Sequence, residues 1–76
     1  MGKFWIARNK NGELFKFPYS ENQLATEIPH KHICGYPFDG NYYVTGKDYQ
    51  PQPGIKIDND LFPEVTYENS PIIKLL

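Results

Sequence analysis

Apolar and polar positions along this chain change places over short runs, and no apolar run keeps a helical period. Lys3 to Asn9 (KFWIARN) is rich in aromatic and branched side chains and predicts a strand. Asn9-Lys10-Asn11-Gly12 follows it, and Asn-Gly between two apolar runs marks a hairpin turn because both residue types tolerate positive φ. Glu13 to Phe17 is the return strand, which Pro18 ends because it has no N–H for the ladder. Two registers are open. A two-residue turn at Asn11-Gly12 pairs Ile6 with Phe17, whereas a turn with Gly12 as a left-handed bulge pairs Trp5 with Phe17 and Ala7 with Phe15. The bulged form is preferred: it sets Trp5 and small Ala7 beside the two Phe rings and leaves Arg8 outward. Phe15 and Phe17 point inward in either case.

Tyr19 to Glu27 is polar and reads as loop with at most one helical turn, stopped by Pro29. His30 to Tyr36 predicts a short strand broken by Gly35 and Pro37. Asp39-Gly40 is a further turn, and Asn41 to Thr45 a strand. Pro51 and Pro53 hold Asp48 to Gly54 extended. Ile55 to Asp58 alternates as a half-buried strand with both isoleucines inward. Asn59 or Asp60 is placed to cap a one-turn helix through Leu61-Phe62. Glu64 to Glu68 alternates again, with Val65 and Tyr67 on one face. After the Asn69-Ser70-Pro71 turn, Ile72 to Leu76 forms a terminal strand with Ile73 and Leu75 toward the core and Ile72, Lys74 and Leu76 away from it. The expected architecture is all-β with minor helix: one small domain, 1–76, built as a mainly antiparallel, strongly twisted sheet or partial barrel of about five strands. The final strand is expected beside the first, its isoleucines and leucines roofing Trp5, Phe15 and Phe17.

Composition narrows the picture. A chain of 76 residues has a small core, worth only about 3–5 kcal/mol net without staples. Its single cysteine, Cys34, rules out an internal disulfide and suits a reducing compartment. Aromatic residues make up 16% of the chain and are the available anchors for that core. The net charge of −1 gives no pull toward nucleic acid or anionic lipid, although the N-terminal half is mildly basic and the C-terminal half acidic. With no targeting segment or apolar run of spanning length in view, a soluble cytoplasmic protein without membrane contact is expected.

Candidate chemistry is sparse. His30, His32 and Cys34 alternate as strand residues and would share a face, which suits zinc or copper, but a structural zinc site needs four ligands and no further pair is present. Two exposed histidines and a buried thiol are the simpler account, so no metal and no cofactor is assigned. Cys34 with His32 also names a nucleophile and a base, yet nothing marks an oxyanion hole, and no catalytic residue is assigned. Asp58-Asn59-Asp60 begins like a calcium loop, but Pro63 stands where its Gly belongs and Asn69 where its Glu belongs. Tyr36, Tyr42, Tyr43 and Tyr49 near Lys31 and Lys47 would suit single-stranded nucleic acid, against which weigh the few cations and the acidic C-terminal half.

The segments Phe4-Trp5-Ile6-Ala7-Arg8, Asn11-Gly12-Glu13-Leu14 and Ile57 to Glu68 (IDNDLFPEVTYE) resemble a group of short bacterial proteins of gut anaerobes, associated with phage or other mobile elements. The resemblance covers about half the chain, its two ends. It implies an accessory or mobile-element role and carries no activity, cofactor or catalytic residue. The expectation drawn from the residues is a non-enzymatic module that binds another protein or itself, with a homodimer through the terminal strand as the simplest version. Ile72, Lys74, Leu76, Tyr42, Tyr43 and Tyr49 are its candidate interaction residues. The alternatives are a single-strand nucleic-acid-binding accessory protein and a small metal-binding domain.

Overall fold

The computed structural model describes residues 2–31, 40–45 and 51–75. The chain is all-β. Among the described residues the strands are β1 (Lys3–Arg8), β2 (Leu14–Pro18), β3 (His30–Lys31), β4 (Tyr42–Thr45), β5 (Pro51–Gln52), β6 (Ile55–Ile57) and β7 (Ile72–Leu75), with a 3-10 turn at Ala25–Glu27. They form a four-stranded sheet in the order β6-β2-β1-β7 and a three-stranded sheet in the order β3-β4-β5, antiparallel throughout and not closed into a barrel.

The β1–β2 hairpin takes the bulged register. Trp5 lies opposite Phe17 and Ala7 opposite Phe15, and Gly12 has φ 94°. The Asn9 amide donates to the Glu13 carbonyl at 2.8 Å and the Gly12 amide to the Asn9 carbonyl at 2.9 Å. The second sheet is fastened to this hairpin by Asn9. Its buried side-chain Oδ1 accepts the Tyr42 amide at 2.7 Å, while the Lys10 amide donates to the Gly40 carbonyl at 2.8 Å.

The four-stranded sheet is covered on both faces, which splits the small core in two. Phe4, Ile6 and Leu14 project to one face, where Val65 packs on them with Ile57, Phe62 and Ile72. Ala7 and Phe17 project to the other, where Tyr42 packs with Trp5, Phe15, Val44 and Tyr67. The neighbouring of the first and last strands is as expected, but the roof over Trp5, Phe15 and Phe17 is β4 and Tyr67, not the C-terminal aliphatic residues.

Four further expectations are corrected by the same geometry. Glu64 to Glu68 is not a strand: the Asn69 side chain accepts from the Thr66 amide at 2.7 Å and donates to the Glu64 carbonyl at 2.8 Å. With its backbone satisfied locally, the segment turns and sends Val65 and Tyr67 to opposite clusters. No helix forms at Asn59–Phe62, because Asp58 Oδ1 accepts the Asp60 amide at 2.9 Å and closes an Asx turn instead. Ile55 and Ile57 share the Val65 face, but Ile55 lies beyond the roof and is exposed. Arg8 is not outward. Its guanidinium donates to the carbonyls of Val65 at 2.6 Å, Gly12 at 2.7 Å and Phe62 at 3.0 Å, and its amide to Ser70 Oγ at 2.9 Å. The acidic loop is therefore held down by one planar fork of donors.

Candidate interaction edge

The hydrogen-bonding phase of the hairpin decides what the edges of the sheet present. Because Asn9 exchanges its peptide bonds with the turn, Ala7 and Trp5 direct theirs to β2, and Phe4, Ile6 and Arg8 direct theirs the other way. The partners of Phe4 and Ile6 on β7 are Lys74 and Ile72. Their peptide groups are thus used against β1, and those of Ile73 and Leu75 point outward from the sheet. Among the described residues no strand lies beyond β7.

The faces of β7 are the reverse of the expected ones. Ile72 lies opposite Ile6 and packs on the Val65 cluster, whereas Ile73 lies opposite Trp5 and Leu75 opposite Lys3. The three-stranded sheet covers β1 and β2 on that face and leaves Ile73 42% and Leu75 68% exposed. Lys74 turns to the Val65 face, where its Nζ meets Glu64 Oε2 at 2.5 Å and lies 5.3 Å from the Phe62 ring centroid. The hydrogen bond from Lys74 holds the Glu64 carboxyl below its ordinary range.

The opposite edge is blunted. β6 is three residues long and follows Pro51 and Pro53. Its Lys56 side chain caps the Ile57 carbonyl at 2.6 Å and reaches Asn59 Oδ1 at 2.5 Å. Proteins protect open edges with short strands, prolines and charge. β6 has all three, and the one charge of β7 is drawn inward by Glu64.

The other residues singled out in the sequence fall elsewhere. Tyr42 is a core residue, not a surface ring: it is 3% exposed, and its hydroxyl hydrogen is shared between the carbonyls of Tyr67 at 2.9 Å and Ser70 at 2.8 Å. Burial, with Tyr67 and Glu68 nearby, pushes its hydroxyl up to about 12. Tyr43 is half-buried and stands edge-on to His30 at 4.6 Å. His30 donates or accepts at both ring nitrogens, Nδ1 against the Ile28 carbonyl at 2.7 Å and Nε2 against Thr45 Oγ1 at 3.4 Å. His32, Cys34, Tyr36, Lys47, Tyr49 and Leu76 lie outside the described residues, and among those described no group of three His, Cys, Asp or Glu could hold a metal ion. Four lysines lie over rings: Lys3 over Tyr19, Lys16 over Phe4, Lys31 over Tyr67 and Lys74 over Phe62. A cleft of about 220 Å³ between the hairpin turn and β4–β5, lined by Asn9, Glu13, Phe15 and Pro51 among others, is smaller than the ~300–1,000 Å³ of ordinary ligand sites.

Sequence reasoning reached β7 but missed Ile73 and Leu75 as its open face. The strand is apolar on both sides, so alternation alone could not orient it. No helix of the described residues is long and apolar enough to cross a membrane. The chain matches no family model, no curated protein and no solved structure.

Proposed function

We propose that this chain is a non-enzymatic protein-interaction module that takes up a strand of another chain along β7. The observation that carries this reading is the edge itself: the peptide groups of Ile73 and Leu75 point outward, their side chains are exposed on one face, and Lys74 between them is drawn to Glu64 on the other. Strand addition at such an edge gains main-chain hydrogen bonds for affinity and side-chain contacts for selectivity. The resemblance of both chain ends to phage- and mobile-element-associated proteins supports an accessory role, and the lone Cys34 fits a reducing, cytoplasmic setting. Single-strand nucleic-acid binding needs ring faces open to bases, whereas Tyr42 is buried and Lys31 lies 4.4 Å from the Tyr67 centroid.

The test uses Ile73→Pro. That substitution removes an N–H which the fold does not use, so circular dichroism should be unchanged. Immobilised parent chain is expected to retain a protein, its own copy or another, that the variant loses. A strict monomer that retains nothing, or retention indifferent to Ile73→Pro, refutes the proposal. A gel shift with short DNA or RNA at low salt is expected to show no complex.

A further inference from the structure

Resting on that reading of the edge, we propose that its occupant is a second copy of the chain, paired β7 to β7 about a two-fold axis at Lys74. An antiparallel pair of identical strands in one continuous sheet is related by an axis normal to the sheet, and opposed residues then lie on the same face. In a strand running from Ile72 to Leu75 that requirement puts the axis at Ile73 or at Lys74.

The outward peptide groups choose between them. With the axis at Lys74, Ile73 faces the partner's Leu75 and Leu75 faces the partner's Ile73. Both outward-pointing residues of each strand then exchange their N–H and C=O groups. With the axis at Ile73, Leu75 would face Pro71, which has no N–H and precedes the strand. The side chains agree with the first arrangement. On one face Ile73 and Leu75, exposed in the single chain, cover each other across the seam. On the other face the two Lys74 side chains meet, and like charges in that position ordinarily repel. Here each ammonium is neutralised by its own Glu64 at 2.5 Å and drawn inward over the Phe62 ring, so the two strands meet without a bare cation on either side. Apolar meets apolar, and each lysine arrives already paired. That self-complementarity favours a copy over a foreign strand. The seam is short, well under the ~1,000 Å² expected of a stable interface, so the dimer is a weak, concentration-dependent one.

Cross-linking in a Cys34→Ser background tests the register. Opposed residues of a non-hydrogen-bonded pair have Cβ atoms about 4.5–5.5 Å apart, near the ~3.5–4.5 Å of a disulfide. Lys74→Cys is therefore expected to give a covalent dimer on mild oxidation, and Ile73→Cys is not. Because Lys74→Cys also removes the ion pair, sedimentation equilibrium supplies a second measurement. Glu64→Lys should weaken self-association about tenfold or more, and the swap Glu64→Lys with Lys74→Glu should restore it. Preferential cross-linking through Ile73→Cys overturns the register, as does a swap that fails to restore association. A parent chain monomeric at every concentration, yet retaining another protein that Ile73→Pro loses, overturns the self-pairing while the edge reading stands. A parent that neither self-associates nor retains anything removes both.

Discussion

Arg8→Ala is the most informative perturbation of the fold. The guanidinium supplies donors to three carbonyls, those of Val65, Gly12 and Phe62, and so ties the strand β1, the hairpin turn and the acidic loop at one point. A hydrogen bond from a charged donor contributes about 1.5–3 kcal/mol, but three on one group are not additive and water can reach part of this site. A loss of about 2–4 kcal/mol is therefore expected, with the loosening of Val65 from its cluster included. Against a total of only about 3–5 kcal/mol for a domain of this size, that removes most of the stability. Urea unfolding followed by Trp5 fluorescence would report it. With a slope near 1 kcal/mol per molar, the midpoint should fall by about 2–4 M or the folded baseline should vanish. Arg8→Lys should recover only part, since an ammonium cannot span three carbonyls as the planar fork does. Hydrogen exchange at the Val65 amide, which donates to the Phe62 carbonyl at 3.0 Å, should accelerate before that of the central strands. If the midpoint of Arg8→Ala equals that of Lys10→Ala, a change at an exposed lysine, Arg8 does not organise the loop and the reasoning fails.

Other substitutions probe the remaining joints. Tyr42→Phe removes the hydroxyl shared by the Tyr67 and Ser70 carbonyls and should cost about 1–2 kcal/mol in urea unfolding at neutral pH. The Tyr42 hydroxyl is raised from 10.0 to about 12 in the folded chain, so its contribution is intact below pH 10 and is lost as pH rises toward about 12. That loss amounts to at most about 2–3 kcal/mol, and an alkaline stability profile should be flatter in Tyr42→Phe; identical profiles would contradict the assignment. Asn9→Ala leaves the Tyr42 amide without its acceptor and should cost about 1–3 kcal/mol, read by the same unfolding curve. A Cβ at Gly54 would lie 2.7 Å from the Lys16 carbonyl oxygen and 2.9 Å from the Phe17 ring, so Gly54→Ala should cost about 1–3 kcal/mol by overpacking. Thermal midpoints unchanged from the parent would show that β6 can shift away from β2.

What the sequence determined by itself was local. Asn-Gly with Gly12 at positive φ chose the hairpin, and the bulged register followed from which side chains fit beside Phe15 and Phe17. The all-β class was likewise legible in short alternating runs without helical period; the placing of the last strand beside the first, a long-range pairing, was expected from the apolar character of both chain ends. The tertiary structure decided everything that depends on which face is covered. Both sides of the four-stranded sheet carry apolar residues, so a period of two has no polarity to read and β7 could be oriented only by its pairing with β1. Val65 and Tyr67 parted company because Asn69 closed the loop backbone locally while Arg8, from the first strand, took the Val65 carbonyl. Tyr42, drawn from the sequence as a surface ring, became core because β4 lies across the hairpin. Pairing between neighbours is written in adjacent residues, whereas burial is set by whatever distant segment arrives on top.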